Sequence, residues 1–146
     1  MMMNKVHFFK TKIKWDSNFN GILTEQNFPN IKITTPPEFS NGEQNTWTPE
    51  HLFVASVNVC LMTTFLAIAK NSKLNFNSYS SEANGKLEKI DNKFMFTEIE
   101  LYPEITVDLE KDIERTERIL NKAKEHCLVS NSIKSNVIVM PKIRIG

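Results

Sequence analysis

Residues 52–69 constrain this chain more than any other stretch. Leu52, Phe53, Val57, Leu61, Phe65 and Ile68 fall on nearly every face of a helix, so no single stripe can point inward and the helix has to be covered all round. Thr48-Pro49-Glu50 marks its start. Threonine caps free amides, proline at the first helical position gives up no hydrogen bond, and glutamate suits the positive end of the helix dipole. Lys70-Asn71-Ser72-Lys73 ends it. The run approaches the length of a membrane span, but Ser56, Asn58, Thr63 and Thr64 interrupt it and nothing flanks it as an anchor. A core helix is therefore expected, with no membrane partner. A chain of 146 residues, 40% of them hydrophobic, suffices for a single domain over residues 1–146 with this helix at its centre. One sheet and one amphipathic helix give such a helix too little cover, which implies a homodimer.

The remaining segments supply that cover. Residues 5–15 alternate, with Lys10, Lys12 and Lys14 on one side and Phe9, Thr11, Ile13 and Trp15 on the other, as in a half-buried strand. The turn-tolerant cluster at residues 16–21 lets residues 22–25 run back as a partner strand. A third strand over 31–34 stops before Pro36-Pro37, where two amide donors are missing, and residues 38–45 read as a surface loop. After the apolar helix comes a hairpin, with arms at 74–90 and 93–107 and Asp91-Asn92 as its turn. In the second arm the apolar residues change phase between Phe96 and Ile99, which predicts a bulge near Thr97. Asp108 is placed to cap a second helix, whose inward stripe is Leu109, Ile113, Thr116, Leu120, Ala123 and Cys127. Its other face, with Glu110, Lys111, Glu114, Glu117, Arg118 and Lys124, is an ordinary solvated surface. Ser130-Asn131-Ser132 breaks that helix, and a last strand over 137–145 carries Pro141. The order is βββ-α-ββ-α-β, an α+β domain with mainly antiparallel pairing.

Eighteen basic residues against seventeen acidic ones leave a net charge of +1, which speaks against a nucleic-acid partner. The amino end, Met1 to His7, has no apolar signal-peptide core, so a reducing cytoplasm is the expected location. In that compartment a cysteine pair is more often catalytic or redox-sensing than structural. Cys60 and Cys127 stand 67 residues apart, and only the fold can bring them together. Taken singly, each reads more simply as a small core residue. No close ligand spacing joins them to a histidine, so no metal and no cofactor is expected. His51 and His126 suit helix-terminal positions. Glu50 is most simply a favourable first-turn charge. In a straight helix ten residues place it about 15 Å along the axis from Cys60, so a joint role needs a broken helix or a second subunit. Phe39, Trp47, Phe53 and Phe65 fit an apolar pocket for a small substrate and fit core packing equally well.

Pro37-Glu38-Phe39, the segment Trp47-Thr48-Pro49-Glu50-His51-Leu52 leading to Cys60, and Cys127-Leu128-Val129-Ser130-Asn131-Ser132 with Lys134 resemble the OsmC/Ohr family in order and spacing. The resemblance runs from about Trp15 to the carboxyl end. It implies an OsmC-like fold, an intertwined homodimer whose strands wrap two long central helices, and thiol-dependent reduction of organic hydroperoxides. In that reaction Cys60 attacks the peroxide, Cys127 resolves the product to a disulfide, and an external dithiol restores both thiols. In peroxide-reducing members an arginine from an early loop or strand contacts the reactive thiol and a glutamate that corresponds to Glu50. No arginine precedes Arg115 here. The role is empty or passes to Lys12, Lys14, Lys32, Arg115 or Arg118. The alternatives are a non-catalytic dimer of the same fold that binds a small apolar ligand, and a thiol redox sensor.

Overall fold

A computed structural model describes residues 5–146; Met1 to Asn4, part of the amino end read above for a leader, lie outside the described residues. The chain forms two compact units, Met1–Leu52 and Phe53–Gly146, whose boundary falls in the first turn of the long helix.

In the first unit β1 (Lys12–Ser17), β2 (Asn20–Thr24) and β3 (Ile31–Ile33) make a three-stranded antiparallel sheet. Asn18 turns the chain between β1 and β2 at φ 49, a left-handed geometry that asparagine tolerates. Residues 5–11, expected in the first strand, are not part of it, and the expected half-burial is not found: every residue of β1 is exposed, Trp15 at 74%. The alternation is real, but among the described residues Ile13 and Trp15 stay exposed. Beyond Pro36-Pro37 the chain is pinned back to β3. Thr34 N–H donates to the Trp47 carbonyl (2.9 Å), and Glu43 accepts from Lys32 Nζ while its own N–H donates to Thr34 Oγ1. Thr48 Oγ1 then accepts the His51 N–H at 3.1 Å and so caps the helix α1 (Pro49–Asn71), as Thr48-Pro49 predicts.

The second unit holds the core. Its sheet runs β4 (Ser78–Ile90), β5 (Lys93–Val107) and β6 (Asn136–Val139), with β7 (Lys142–Ile145) also beside β5. Asp91 and Asn92 turn the β4–β5 hairpin with positive φ angles of 48 and 67. Lys86 pairs with Glu98 and Leu87 with Phe96, so Thr97 is the extra residue of a bulge where the apolar phase changes. β6 and β7 pair with β5 in parallel, so the predicted single last strand is two: Met140 N–H still donates to the Leu101 carbonyl (2.8 Å), but Pro141 has no N–H to give, and pairing resumes farther along β5. Ile99, Leu101, Ile105 and Val107 of β5 pack with Val57, Leu61, Phe65 and Ala69 of α1 and with Ile119, Leu120 and Ala123 of α2 (Lys111–His126). Gly85 admits α1 to the sheet, since a Cβ there would lie 2.5 Å from Val54 Cγ2.

Three further expectations are corrected. Asp108 does not cap α2; its carboxylate accepts a hydrogen bond from Asn77 Nδ2, α2 starts after Glu110, and Leu109 is exposed. The break in α2 comes at Cys127 rather than at residues 130–132, and Leu128–Asn131 form a separate helical turn, α3. Finally, α1 is not enclosed. By length and composition it could cross a membrane, and only 28% of its most apolar window is buried, with Val59 half-exposed. Its inner face meets the sheet, whereas its Val59 and Leu66 are exposed among the described residues.

Candidate active site: two buried thiols

Cys60 lies midway along α1 and Cys127 at the end of α2, and the core brings them together. Both are free thiols; Cys60 is 7% exposed and Cys127 fully buried. Local structure explains the meeting. Thr116, Leu120, Ala123 and Cys127 form the buried stripe of α2, which points the last thiol inward. On α1, Val57, Cys60, Leu61 and Phe65 share the face toward the sheet.

At Cys127 the backbone turns extended (φ −71, ψ 106), which ends α2 and restarts the chain as α3. The first amides of a helical turn have no partner within it. Those of Val129 and Leu128 act on Cys60 instead, each lowering its pKa. Burial pushes the Cys60 thiol up, but the Val129 N–H, the Cys127 thiol, the Thr64 hydroxyl and the Leu128 N–H together outweigh it and hold Cys60 below its ordinary pKa. Thr64 Oγ1 is 3.9 Å from Cys60 Sγ, one turn along the helix. Cys127 moves the other way. Burial raises it, Ser130 lowers it through its hydroxyl and backbone, and the neighbouring Cys60 raises it again, leaving Cys127 above its ordinary value. The pair is thus a thiol held below its ordinary pKa beside one held above it.

Tyr79 of β4 stands beside this pair. Its ring packs on Phe65 with centroids 5.3 Å apart, its hydroxyl is buried without a hydrogen-bond partner, and burial followed by the Cys127 charge pushes its pKa up to about 12.

The other candidate residues are placed as follows. Phe65 is wholly within the core, between Phe76 and Tyr79, and Phe53 stacks on Phe96 at 5.1 Å. In the first unit Trp47 meets His51 edge-on at 6.1 Å beside a cavity of about 520 Å³, and Phe39 is exposed on its loop. His51 Nδ1 is 2.7 Å from Thr48 Oγ1, the helix-terminal position expected of it. Glu50 Oε1 is buried and has no hydrogen-bond partner, and α1 runs unbroken from Pro49 to Asn71. Of the five cations that might stand in for the absent arginine, Lys32 pairs with Glu43, Arg115 with Asp112 and Arg118 with Glu114, while Lys12 and Lys14 form no ion pair among the described residues. The sequence reading missed the Leu128 and Val129 amides, Thr64, Ser130 and Tyr79. No side chain signals the helix break at Cys127, so the sequence carried no sign of the amides.

The profile of the OsmC-like protein family matches residues 42–142. No curated protein sequence matches significantly. Among solved structures, an OsmC-like protein of unknown function from Vibrio cholerae is similar at 20% identity and TM-score 0.84, over 93% of this chain and 99% of that one. An organic hydroperoxide resistance protein from Elizabethkingia anophelis, with thiocyanate bound, gives 20% and 0.76 over 99% and 100%. An organic hydroperoxide resistance protein from Legionella pneumophila gives 24% and 0.73 over 96% and 100%.

Proposed function

This chain belongs to the OsmC-like protein family, and we propose that it reduces organic hydroperoxides with Cys60 as the attacking thiol and Cys127 as the resolving one. The observation that carries the reading is the meeting of two buried thiols with opposite pKa shifts, Cys60 lowered and Cys127 raised. A thiolate is the nucleophile, and the downward shift at Cys60 favours that form. Cys60 Sγ attacks the distal peroxide oxygen, the O–O bond breaks, and the alkoxide leaves to be protonated as an alcohol. The sulfenic acid on Cys60 then meets Cys127, a disulfide forms and water departs before further oxidation can destroy the thiol. An external dithiol returns both cysteines to the reduced state by exchange. No cofactor takes part.

The working form is a cytoplasmic homodimer. The uncovered outer face of α1 and the exposed apolar side of β1 are surfaces that a second copy covers. The same arrangement gives Glu50 its role. With α1 unbroken, the carboxylate that serves Cys60 comes from the other subunit, and the unpartnered Glu50 Oε1 suits a cation supplied at the interface, for which Lys12 and Lys14 are available. Trp47 with the loop that carries Phe39 in the first unit, and Phe53 with Phe65 in the second, are the apolar groups offered to the substrate. The hydroperoxide resistance proteins of similar fold agree with this reading.

The test is consumption of cumene hydroperoxide against hydrogen peroxide with a dithiol reductant, for the parent and Cys60→Ser. The parent should prefer the organic peroxide and the variant should consume neither. Undiminished turnover in Cys60→Ser, or none in the parent, would reject the peroxidase reading.

A further inference from the structure

A hydroxyl inside a helix ordinarily turns back to a carbonyl three or four residues earlier. Ser56 bonds the Phe53 carbonyl in this way (2.7 Å), Thr63 that of Cys60 (3.1 Å) and Thr116 that of Asp112 (2.6 Å). Thr64 does not. Its Oγ1 faces Cys60 Sγ at 3.9 Å, one turn back along α1. Thr63 explains the departure. The carbonyl four residues before Thr64 is that of Cys60, which accepts the Thr64 N–H in the unbroken helix and the Thr63 hydroxyl as well, so both of its lone pairs are used.

A thiolate only accepts hydrogen bonds, so in this contact the hydroxyl is the donor once Cys60 ionises. Branching at Cβ leaves the Thr64 side chain few rotamers in a helix, which presets the donor before any peroxide arrives. We propose that Thr64 is a positioning residue for the attacking step: its hydroxyl, denied its carbonyl by Thr63, donates to Cys60 Sγ and holds that sulfur in the direction and charge state in which it meets the peroxide. The bonds made and broken are unchanged: S–O forms at Cys60 as O–O breaks, sulfur is oxidised as the peroxide is reduced, and the alkoxide takes its proton from solvent. The downward pull of Thr64 on the Cys60 thiol agrees with the geometry. The inference rests on the reading of Cys60 as the attacking thiol and adds to it a neutral donor on the same helix, where related peroxidases use an arginine.

The experiment compares the whole parent protein with Thr64→Val, Thr64→Ser and Thr63→Val by two readouts: iodoacetamide alkylation of each cysteine against pH, and the first oxidation by cumene hydroperoxide after rapid mixing. Valine keeps the branched shape and removes only the donor. In Thr64→Val the Cys60 profile should move up by as much as about one pH unit, and the first oxidation should slow roughly threefold to tenfold below the profile's midpoint, on the scale of one hydrogen bond. Above both midpoints Thr64→Val should react at least as fast as the parent, because a thiolate of higher pKa is the stronger nucleophile. Thr64→Ser should restore the parent profile. Thr63→Val, which touches no sulfur, should move Cys60 the same way by less, since the freed carbonyl draws the Thr64 hydroxyl back. The Cys127 profile should stay in place throughout. An unmoved Cys60 profile in either valine variant overturns the inference, and so does equal slowing of Thr64→Val at every pH, which would assign the residue to packing. Alkylation needs no peroxide, so a shifted profile in a protein that consumes no hydroperoxide leaves the hydroxyl on the sulfur and rejects the peroxidase reading instead.

Discussion

Cys60 and Cys127 sit in the same core, yet the protein treats them differently. Both are buried, and burial alone raises a thiol's pKa. Around Cys60 the penalty is overcome by backbone amides of Val129 and Leu128 together with two side-chain donors. Around Cys127 it is not: Ser130 helps, but the neighbouring Cys60 adds to the upward push. The break at Cys127 produces both halves of the difference. It ends α2, fixing the second thiol in the core, and it frees the next two amides for the first. Fixed dipoles thus do locally what a cation would do, so the absence of an early arginine does not leave Cys60 a plain buried thiol.

The contrast can be broken at either sulfur. The largest effect belongs to Cys60→Ser, with complete loss of hydroperoxide consumption in a coupled assay. Cys127→Ser should come next: a normal first oxidation followed by inactivation over successive turnovers, as mass spectra show Cys60 passing to sulfinic acid. Glu50→Gln should act on one thiol only. It should shift the pKa of Cys60 alkylation and leave that of Cys127 where it is, since the proposed role of Glu50 is to hold a cation on the Cys60 side. This holds only in the dimer, so light scattering should return twice the 16.9 kDa chain mass. A monomer at micromolar concentration would remove the basis for Glu50.

The smallest effect concerns alkali. Tyr79 is raised from 10.0 to about 12, so the fold favours the neutral phenol. Stability from this source is complete below pH 10 and is lost as pH rises toward 12, the direction required of an acid whose folded pKa is raised. Tyr79→Phe should therefore unfold at a slightly higher pH in an alkaline titration followed by circular dichroism. An unchanged midpoint would mean that the phenol is not buried in solution.

The contrast between the thiols was only half legible in the sequence. The 3.6-residue stripe ending at Cys127 and the apolar run holding Cys60 are patterns, and patterns predict which way side chains point. The Asp91-Asn92 turn and the bulge at Thr97 were legible for the same reason, since turn chemistry and apolar phase are local. The opposite pKa shifts were not. They depend on which backbone amides face Cys60, set by one extended residue at Cys127 that no side chain announces. The reading of Asp108 as a cap failed because Asn77, 31 positions earlier, engages its carboxylate. The expected half-burial of residues 5–15 and full burial of α1 failed for a shared reason: apolar periodicity tells which surface is to be covered, not what covers it, and among the described residues much of both stays exposed.

The most direct test of the account is the pH dependence of alkylation at each cysteine, followed by peptide mapping of the reduced protein. Cys60 should react first, with a pKa below that of a free cysteine, and Cys127 should lag, with a pKa above it. The two profiles should lie on opposite sides of the free thiol. Coincident profiles, or a Cys127 that ionises before Cys60, would contradict the assignment of attacking and resolving roles.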